Sequence, residues 1–253
     1  MQAMDRGMFI TDGMSEESVL AMIKKIRPVR VDVPLVRIGP NMDGGYLVPD
    51  DFDDLKLCIS PGVGPTSAFE LECAKMGMEV LMADASVDGP AAQHDNFHFV
   101  KKFVNGYQSS ESITFDQLIQ SHGFEDQEFL LQMDIESSEY DTILSMSEKA
   151  LKHARIILLE LHDVGQLWNL YFYRIFNAVW TKLQTTHYCV HLHPNNCAHV
   201  VNYKNIDIPN VIECSFIRKD RAEIVSDNVK LPHTLDFKNG EGNDIELSTI
   251  WSD

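Results

Sequence analysis

The sequence predicts an α/β fold, a doubly wound and mostly parallel sheet, and three observations carry that expectation. Short apolar runs alternate with helical patterns along most of the chain, which is how βαβ units read in sequence. One such unit, Leu55 to Asp84, has a glycine turn after its first strand and an acid at the tip of its second. Two later runs also end in acids, at Asp134 and at Glu160. Strand tips of that kind are where open α/β sheets bind ligands.

Residues 1–50 read as an N-terminal extension of helix and hairpin, and residues 51–253 as the main domain with C-terminal antiparallel strands and a tail. Residues 1–14 read as a flexible start. Ser15 is an N-cap candidate, followed by Glu16 and Glu17 in the first turn and by Val19, Leu20, Met22 and Ile23; Lys24, Lys25 and Pro28 close this helix. Asp43-Gly44-Gly45 between β-forming runs predicts a hairpin. It is either a plain hairpin or one that reaches a ligand through Arg37, Asp43 and Tyr46, because it leads straight into the first strand.

The strand Leu55–Ser60 enters the turn Pro61-Gly62-Val63-Gly64-Pro65. A helical pattern then carries Ala68, Leu71, Cys73, Ala74 and Met76 up to Gly77, and the strand Glu79–Ala83 ends in Asp84. Glycines there let backbone close on a ligand, the helix start offers free N–H groups, and Asp84 can accept bonds from ribose hydroxyls. The turn has no third small residue at the usual place, and prolines flank it. That suits S-adenosylmethionine, which has no phosphate, better than a dinucleotide. The cofactor candidates are Gly62, Val63, Gly64, Ser67, Asp84, Ala85 and Ser86, with Asp134 where a methyl donor's sulfonium would lie. A plain core βαβ unit shares the same pattern.

Further along, Phe97–Val104 reads as a third strand, and Thr114-x-x-Gln117 as a capping box for a short helix ending at Gly123. Glu128–Met133 is a fourth strand, apolar through its centre as buried parallel strands are. A helix with Tyr140, Ile143, Leu144 and Leu151 on one face follows, then a fifth strand, Arg155–Leu161. A long helix over Gln166–Leu183 carries Trp168, Phe172, Phe176 and Trp180 at spacing four and is apolar over most of its circumference. Such a helix packs into a core, covers a pocket, or gives a homo-oligomer surface along Trp168–Trp180. Strands are expected near His187–His191, Cys197–Tyr203 and Val211–Ile217.

The catalytic candidates are Asp134, Glu136, Glu160 and His162. Carboxylates ending adjacent inner strands need a cation, hydrogen bonds or water. Asp134 either serves chemistry or N-caps the next helix. Two chemical solutions are open. In the preferred, metal-free one, His162 is the base and Glu160 orients it. In the other, a divalent ion such as Mg²⁺ sits among the carboxylates and acidifies a hydroxyl. His191, His193, Asn195 and Asn196 are expected in a loop that contacts the substrate.

A net charge of −17 argues against a broad basic face for polyphosphate and against anionic membranes. A small-molecule acceptor is therefore expected, with neither nucleic acid nor membrane as partner. Five cysteines, an odd number, read as reduced thiols in a cytoplasmic protein.

The residues also resemble a family. Arg37-x-Gly39, Asp43-Gly44-Gly45-Tyr46, Gly62-x-Gly64, Thr114-x-Asp116-x-Leu118 and Leu231-Pro232-His233-x-Leu235-Asp236 occur in an order that resembles the FkbM-type methyltransferases. Met133-Asp134-Ile135-Glu136-Ser137-Ser138-Glu139 is similar to that family's Asp-x-Glu-Gly-x-Glu segment, with Ser137 where the family has glycine. The likeness spans about Arg37 to Leu247. It implies a seven-stranded, class I Rossmann-like fold that uses S-adenosylmethionine to methylate a hydroxyl of a sugar or secondary metabolite, or a nitrogen in some relatives. A nicotinamide-dependent oxidoreductase and a non-catalytic module on the same sheet are the rival readings.

Overall fold

The computed structural model describes residues 11–252; the start expected over residues 1–14 lies mostly outside them. Seven strands form the main sheet: β1 Leu57–Pro61, β2 Glu79–Ala83, β3 Phe97–Val100, β4 Phe129–Met133, β5 Ala154–Leu161, β6 His187–Pro194 and β7 Ile212–Arg218. Their order across the sheet is β3-β2-β1-β4-β5-β7-β6. The pairings among β3, β2, β1, β4 and β5 are parallel, and β7 runs antiparallel to both β5 and β6. This is the class I methyltransferase arrangement.

Helices α1 Glu16–Ile26, α2 Ala68–Lys75, α3 Phe115–Ser121, α4 Glu139–Ser145, α5 Glu148–His153 and α6 Leu170–Thr186 cover the sheet. Every residue of β4 and β5 is buried, as their continuous apolar runs require. Alternate residues serve opposite faces: Leu57 and Ile59 join one core with α1, α3, α4 and α6, and Cys58 joins the other with α2. The caps follow the sequence: Ser15 Oγ accepts the Ser18 amide at 3.1 Å, and Thr114 and Gln117 close a reciprocal capping box.

Some expected elements change. The third strand stops at Val100, and Phe103–Val104 pairs instead with Ser112–Ile113. The Tyr140–Leu151 helix breaks into α4 and α5, because Ser147 caps a new start through the Ala150 amide at 3.1 Å; Leu144 is left exposed. The strand expected at Cys197–Tyr203 is Val200–Tyr203, in a separate hairpin with Ile206–Pro209. The long aromatic helix is two pieces, a 3₁₀ turn over Val164–Trp168 and then α6, which Asn169 caps through the Tyr171 amide at 2.9 Å. Its aromatic stripe faces inward: Phe176 and Trp180 stack at 5.9 Å, and Trp180 meets Phe216 at 5.3 Å. Phe176 and Trp180, expected in a homo-oligomer surface along Trp168–Trp180, are therefore core packing; Trp168 and Phe172 are half-buried, and Tyr171 and Ile175 are the large apolar side chains α6 exposes. Among the described residues no helix is long and apolar enough to cross a membrane, and all five cysteines are unpaired.

Candidate active site

Strand order reverses between β1 and β4, so the ligand crevice of such a sheet opens over their C-terminal ends. Gly62 turns there with φ +91°, and a Cβ on it would lie 1.6 Å from the Asp134 carbonyl oxygen. The β1 and β4 tips can approach this closely only with glycine at that position. Gly64, by contrast, would point a Cβ into open space.

Two adjoining cavities share Gly62, Asp134 and Glu136. One, of 390 Å³, is also lined by Asp84, Ser86, Phe103, Val104 and Asn105. The other, of 370 Å³, is lined by Asp43, Tyr46, Gly64, Thr66, Glu70 and Gln132. Acidic side chains recur on both walls, and neither includes a lysine or arginine. Cavities of 450, 550 and 640 Å³ elsewhere carry none of the strand-tip residues.

Asp84 braces the glycine turn. Its Oδ2 accepts the Val63 amide at 2.9 Å, and its Oδ1 accepts the Ser86 amide and hydroxyl at 2.6 Å each. Tyr46 accepts from Gln132 Nε2 at 3.1 Å, and Gln132 in turn accepts from Ser60 at 2.6 Å. These bonds tie the Leu35–Ile38/Tyr46–Pro49 hairpin to the sheet. Arg37, a cofactor candidate, is spent elsewhere. Its guanidinium donates to the Pro40 carbonyl at 2.8 and 3.0 Å and lies 5.1 Å from the Phe237 ring centre, outside both cavity walls. Ser67 is buried with its hydroxyl unpartnered, and Ser67, Val63 and Ala85 line neither cavity.

At the tips of β4 and β5, His162 Nε2 lies 3.8 Å from Asp134 Oδ1, 3.8 Å from Glu160 Oε1 and 3.6 Å from Glu136 Oε2. None of these is a hydrogen bond. The carboxylate that does hold the imidazole is Glu139, with Oε1 3.1 Å from Nδ1. The expectation that Glu160 orients His162 is thus corrected: Glu160 accepts instead from Asn195 Nδ2 at 3.0 Å. Asp134 caps no helix; Ser138 occupies that position. Glu136 and Ser137 both have positive φ, 54° and 78°, and Ser137 Oγ donates to Asp163 at 2.9 Å.

Burial, reinforced by neighbouring acids, lifts Asp134 to about 7 and Glu160 to about 10. Burial would lower His162, but the Glu139 bond and the surrounding carboxylates outweigh it and raise the imidazole to about 9. At neutral pH His162 therefore holds its proton and is no free base by itself, contrary to the metal-free expectation; Asp134 is the group poised near neutrality.

The expected substrate loop divides. Asn195 stays at the site, donating to Glu160 and to Asp43 at 3.3 Å. Asn196 holds the tail through Gly240 and Gly242. His191 and His193, 2% and 3% exposed, line neither cavity and face Asp236, with contacts of 3.0 and 3.7 Å. The two histidines hold the Asp236 carboxyl below its ordinary range although burial pushes the other way.

Sequence reasoning missed Glu139, Phe103, Glu213, Asp236 and Asn239 as parts of this region. An acid inside the apolar run Val211–Ile217 was the available signal for Glu213, which is 5% exposed, raised to about 7 by burial, and bonded by Asn239.

No family model matches the chain and no curated protein matches it, so the FkbM-type likeness stands on the quoted residues. Solved structures do match. A candidate rRNA methylase from Clostridium thermocellum is 9% identical, with 65% of this chain and 88% of that one covered at a TM-score of 0.33. A candidate RNA methyltransferase from Pyrococcus horikoshii is 10% identical, covering 66% and 77% at 0.30. A 16S rRNA (adenine(1408)-N(1))-methyltransferase variant from Catenulisporales acidiphilia is 10% identical, covering 76% and 97% at 0.32. All three are described as acting on RNA, so the expectation that excluded nucleic acid as a partner is withdrawn; net charge alone cannot sustain it. What this chain has in common with them is the fold.

Proposed function

We propose that this protein is an S-adenosylmethionine-dependent methyltransferase acting on a hydroxyl group of a small polar acceptor. The observation that carries the reading is the charge of the paired cavities: carboxylates on both walls, and neither lysine nor arginine. A dinucleotide's pyrophosphate would be repelled there, whereas a donor with a sulfonium and an ammonium group would be attracted.

S-adenosylmethionine supplies a methyl group on a positively charged sulfur. Gly62 and Gly64 would leave its amino-acid end room against the backbone. Asp84 has one lone-pair direction on Oδ2 beyond its bond to Val63, enough for a ribose hydroxyl, and Phe103 and Val104 would flank the base. In the second cavity Asp43, Asp134 and Tyr46 would orient the acceptor, and alignment supplies most of the rate in a direct displacement. Asp134, near 7, is suited to receive the acceptor's proton, with His162 as the neighbouring cation.

Calorimetric titration with S-adenosylmethionine and with NAD tests the donor. Binding of the first alone supports the reading, binding of NAD alone replaces it with an oxidoreductase, and binding of neither with a non-catalytic module. Mass spectrometry of a panel of hydroxylated small molecules, amines and RNA incubated with the donor tests the acceptor; transfer only to nitrogen or only to RNA would overturn that part.

A further inference from the structure

We infer that Asp134, Glu160 and His162 bind one divalent first-row metal ion, a centre that builds on the methyltransferase reading of the same site. One ligand atom from each of the three lies within 4.8 Å of the others. The imidazole is oriented as a ligand: Glu139, fully buried, accepts the hydrogen bond from Nδ1–H at 3.1 Å, and Nε2 faces the carboxylates, where an ion would displace its proton. Metal-binding histidines are held by a carboxylate in this way.

What Nε2 meets is a ring of oxygens that it does not bond. The separations are 3.8, 3.8 and 3.6 Å, too long for hydrogen bonds. An ion about 2.1 Å from each donor spreads its ligands about 3.0 Å apart at right angles and about 3.4 Å apart at tetrahedral angles. From the 3.8 Å contacts, Nε2 and each carboxylate would have to draw together by about 0.4 Å for tetrahedral angles or about 0.8 Å for right angles. One oxygen waits for a partner there: Asp134 Oδ1 is buried without a hydrogen bond, whereas Glu160 Oε1, the oxygen that faces Nε2, accepts a single bond, from Asn195.

The neighbouring Asp43–Glu160–Glu213 group is different. Amide donors of Asn195 and Asn239 already bridge it, Asn195 from Asp43 to Glu160 and Asn239 from Asp43 to Glu213. It therefore has less need of a cation. The histidine also selects the ion. One imidazole with two carboxylates suits Mn²⁺, Fe²⁺ or Zn²⁺ better than Mg²⁺, which prefers oxygen alone. A bound ion would offset the mutual repulsion of the acids and lower the pKa of a coordinated acceptor hydroxyl.

The test uses the full chain stripped with a chelator and titrated with MnCl₂, followed by electron paramagnetic resonance, with MgCl₂ in parallel. One equivalent of Mn²⁺ should bind, with an imidazole ¹⁴N coupling on the Mn²⁺ signal, and Mg²⁺ should bind at least tenfold more weakly. His162→Gln should remove the coupling, and Glu160→Gln should weaken binding by about ten- to a hundredfold. Circular dichroism establishes that each variant is folded. Saturable binding without the nitrogen coupling, or binding unchanged in Glu160→Gln, would overturn the centre. A parallel S-adenosylmethionine titration separates the two readings. Donor binding without Mn²⁺ binding rejects the metal alone, and Mn²⁺ binding without donor binding rejects the methyltransferase alone.

Discussion

Glu139 Oε1 lies 3.1 Å from His162 Nδ1 and accepts the Ile135 amide at 2.9 Å through the same oxygen. One fully buried carboxylate therefore fixes both the imidazole and the backbone that follows Asp134. Glu139→Gln keeps an oxygen for both bonds but removes the charge. Turnover should fall about ten- to a hundredfold, as for other partners that orient a functional histidine. S-adenosylmethionine affinity should stay within about twofold of the parent. An unchanged rate would show that the imidazole needs no such partner.

Gly62 and Gly64 should respond in opposite ways although only Val63 separates them. Gly64→Val fills open space on the cavity wall and should leave the melting temperature within a few degrees while abolishing S-adenosylmethionine binding. Gly62→Ala drives a methyl into the Asp134 carbonyl at a φ of +91°. It should cost a few kcal/mol of stability, the combined scale of overpacking and a left-handed backbone. Thermal melts and calorimetry on both variants separate the roles; a Gly64→Val protein that binds the donor normally would remove the turn from the site.

The sheet and the acids at its tips were legible because both are local signals. The largely apolar runs of β4 and β5 read as buried strands, with Asp134 just past the end of the first and Glu160 next to last in the second. What failed was long range. Nothing near His191 or His193 in sequence announces Asp236, which arrives from the tail and claims both. In sequence Arg37 is a ligand-contact candidate beside the plain-hairpin alternative; the loop over residues 39–45 folds back, and the Pro40 and Met42 carbonyls take the guanidinium. The Glu139–His162 pair was hidden for another reason. Glu139 belongs to the quoted motif, but only the turn at Glu136 and Ser137, with two left-handed residues, brings it back under the β5 tip.

Asp84 carries three bonds from the glycine turn and its own loop. Asp84→Ala frees the Val63 amide as well as any ribose contact, so S-adenosylmethionine affinity should fall about tenfold or more, the scale of one or two charge-assisted hydrogen bonds. Asp84→Asn retains an acceptor oxygen and should lie between the two. Equal affinity in the parent and Asp84→Ala, measured by calorimetry, would show that the ribose is read elsewhere.

His187 tests the fold by pH, apart from the site. It is fully buried. Its Nε2 donates to the Ala154 carbonyl at 2.8 Å, and its Nδ1 is free to accept from the Thr186 hydroxyl, also at 2.8 Å. That bonding satisfies a neutral ring, and burial, joined by the nearby Arg218 and Lys219, lowers its pKa to about 4. An unfolded histidine titrates near 6.5. Between those values the unfolded chain binds the extra proton, so stability is lost as pH falls below about 6.5, by about 1.4 kcal/mol for each unit down to about 4. Asp134 and Glu213, raised to about 7, act in the opposite sense: their contribution is lost as pH rises through that value. Both acids are present in His187→Asn as well, so the difference in urea-unfolding free energy between parent and variant isolates the ring. The parent's advantage over the variant should shrink by about 2 kcal/mol from pH 7.5 to pH 5. A difference that stays flat across that range would mean that His187 is charged in the folded protein, or reaches water.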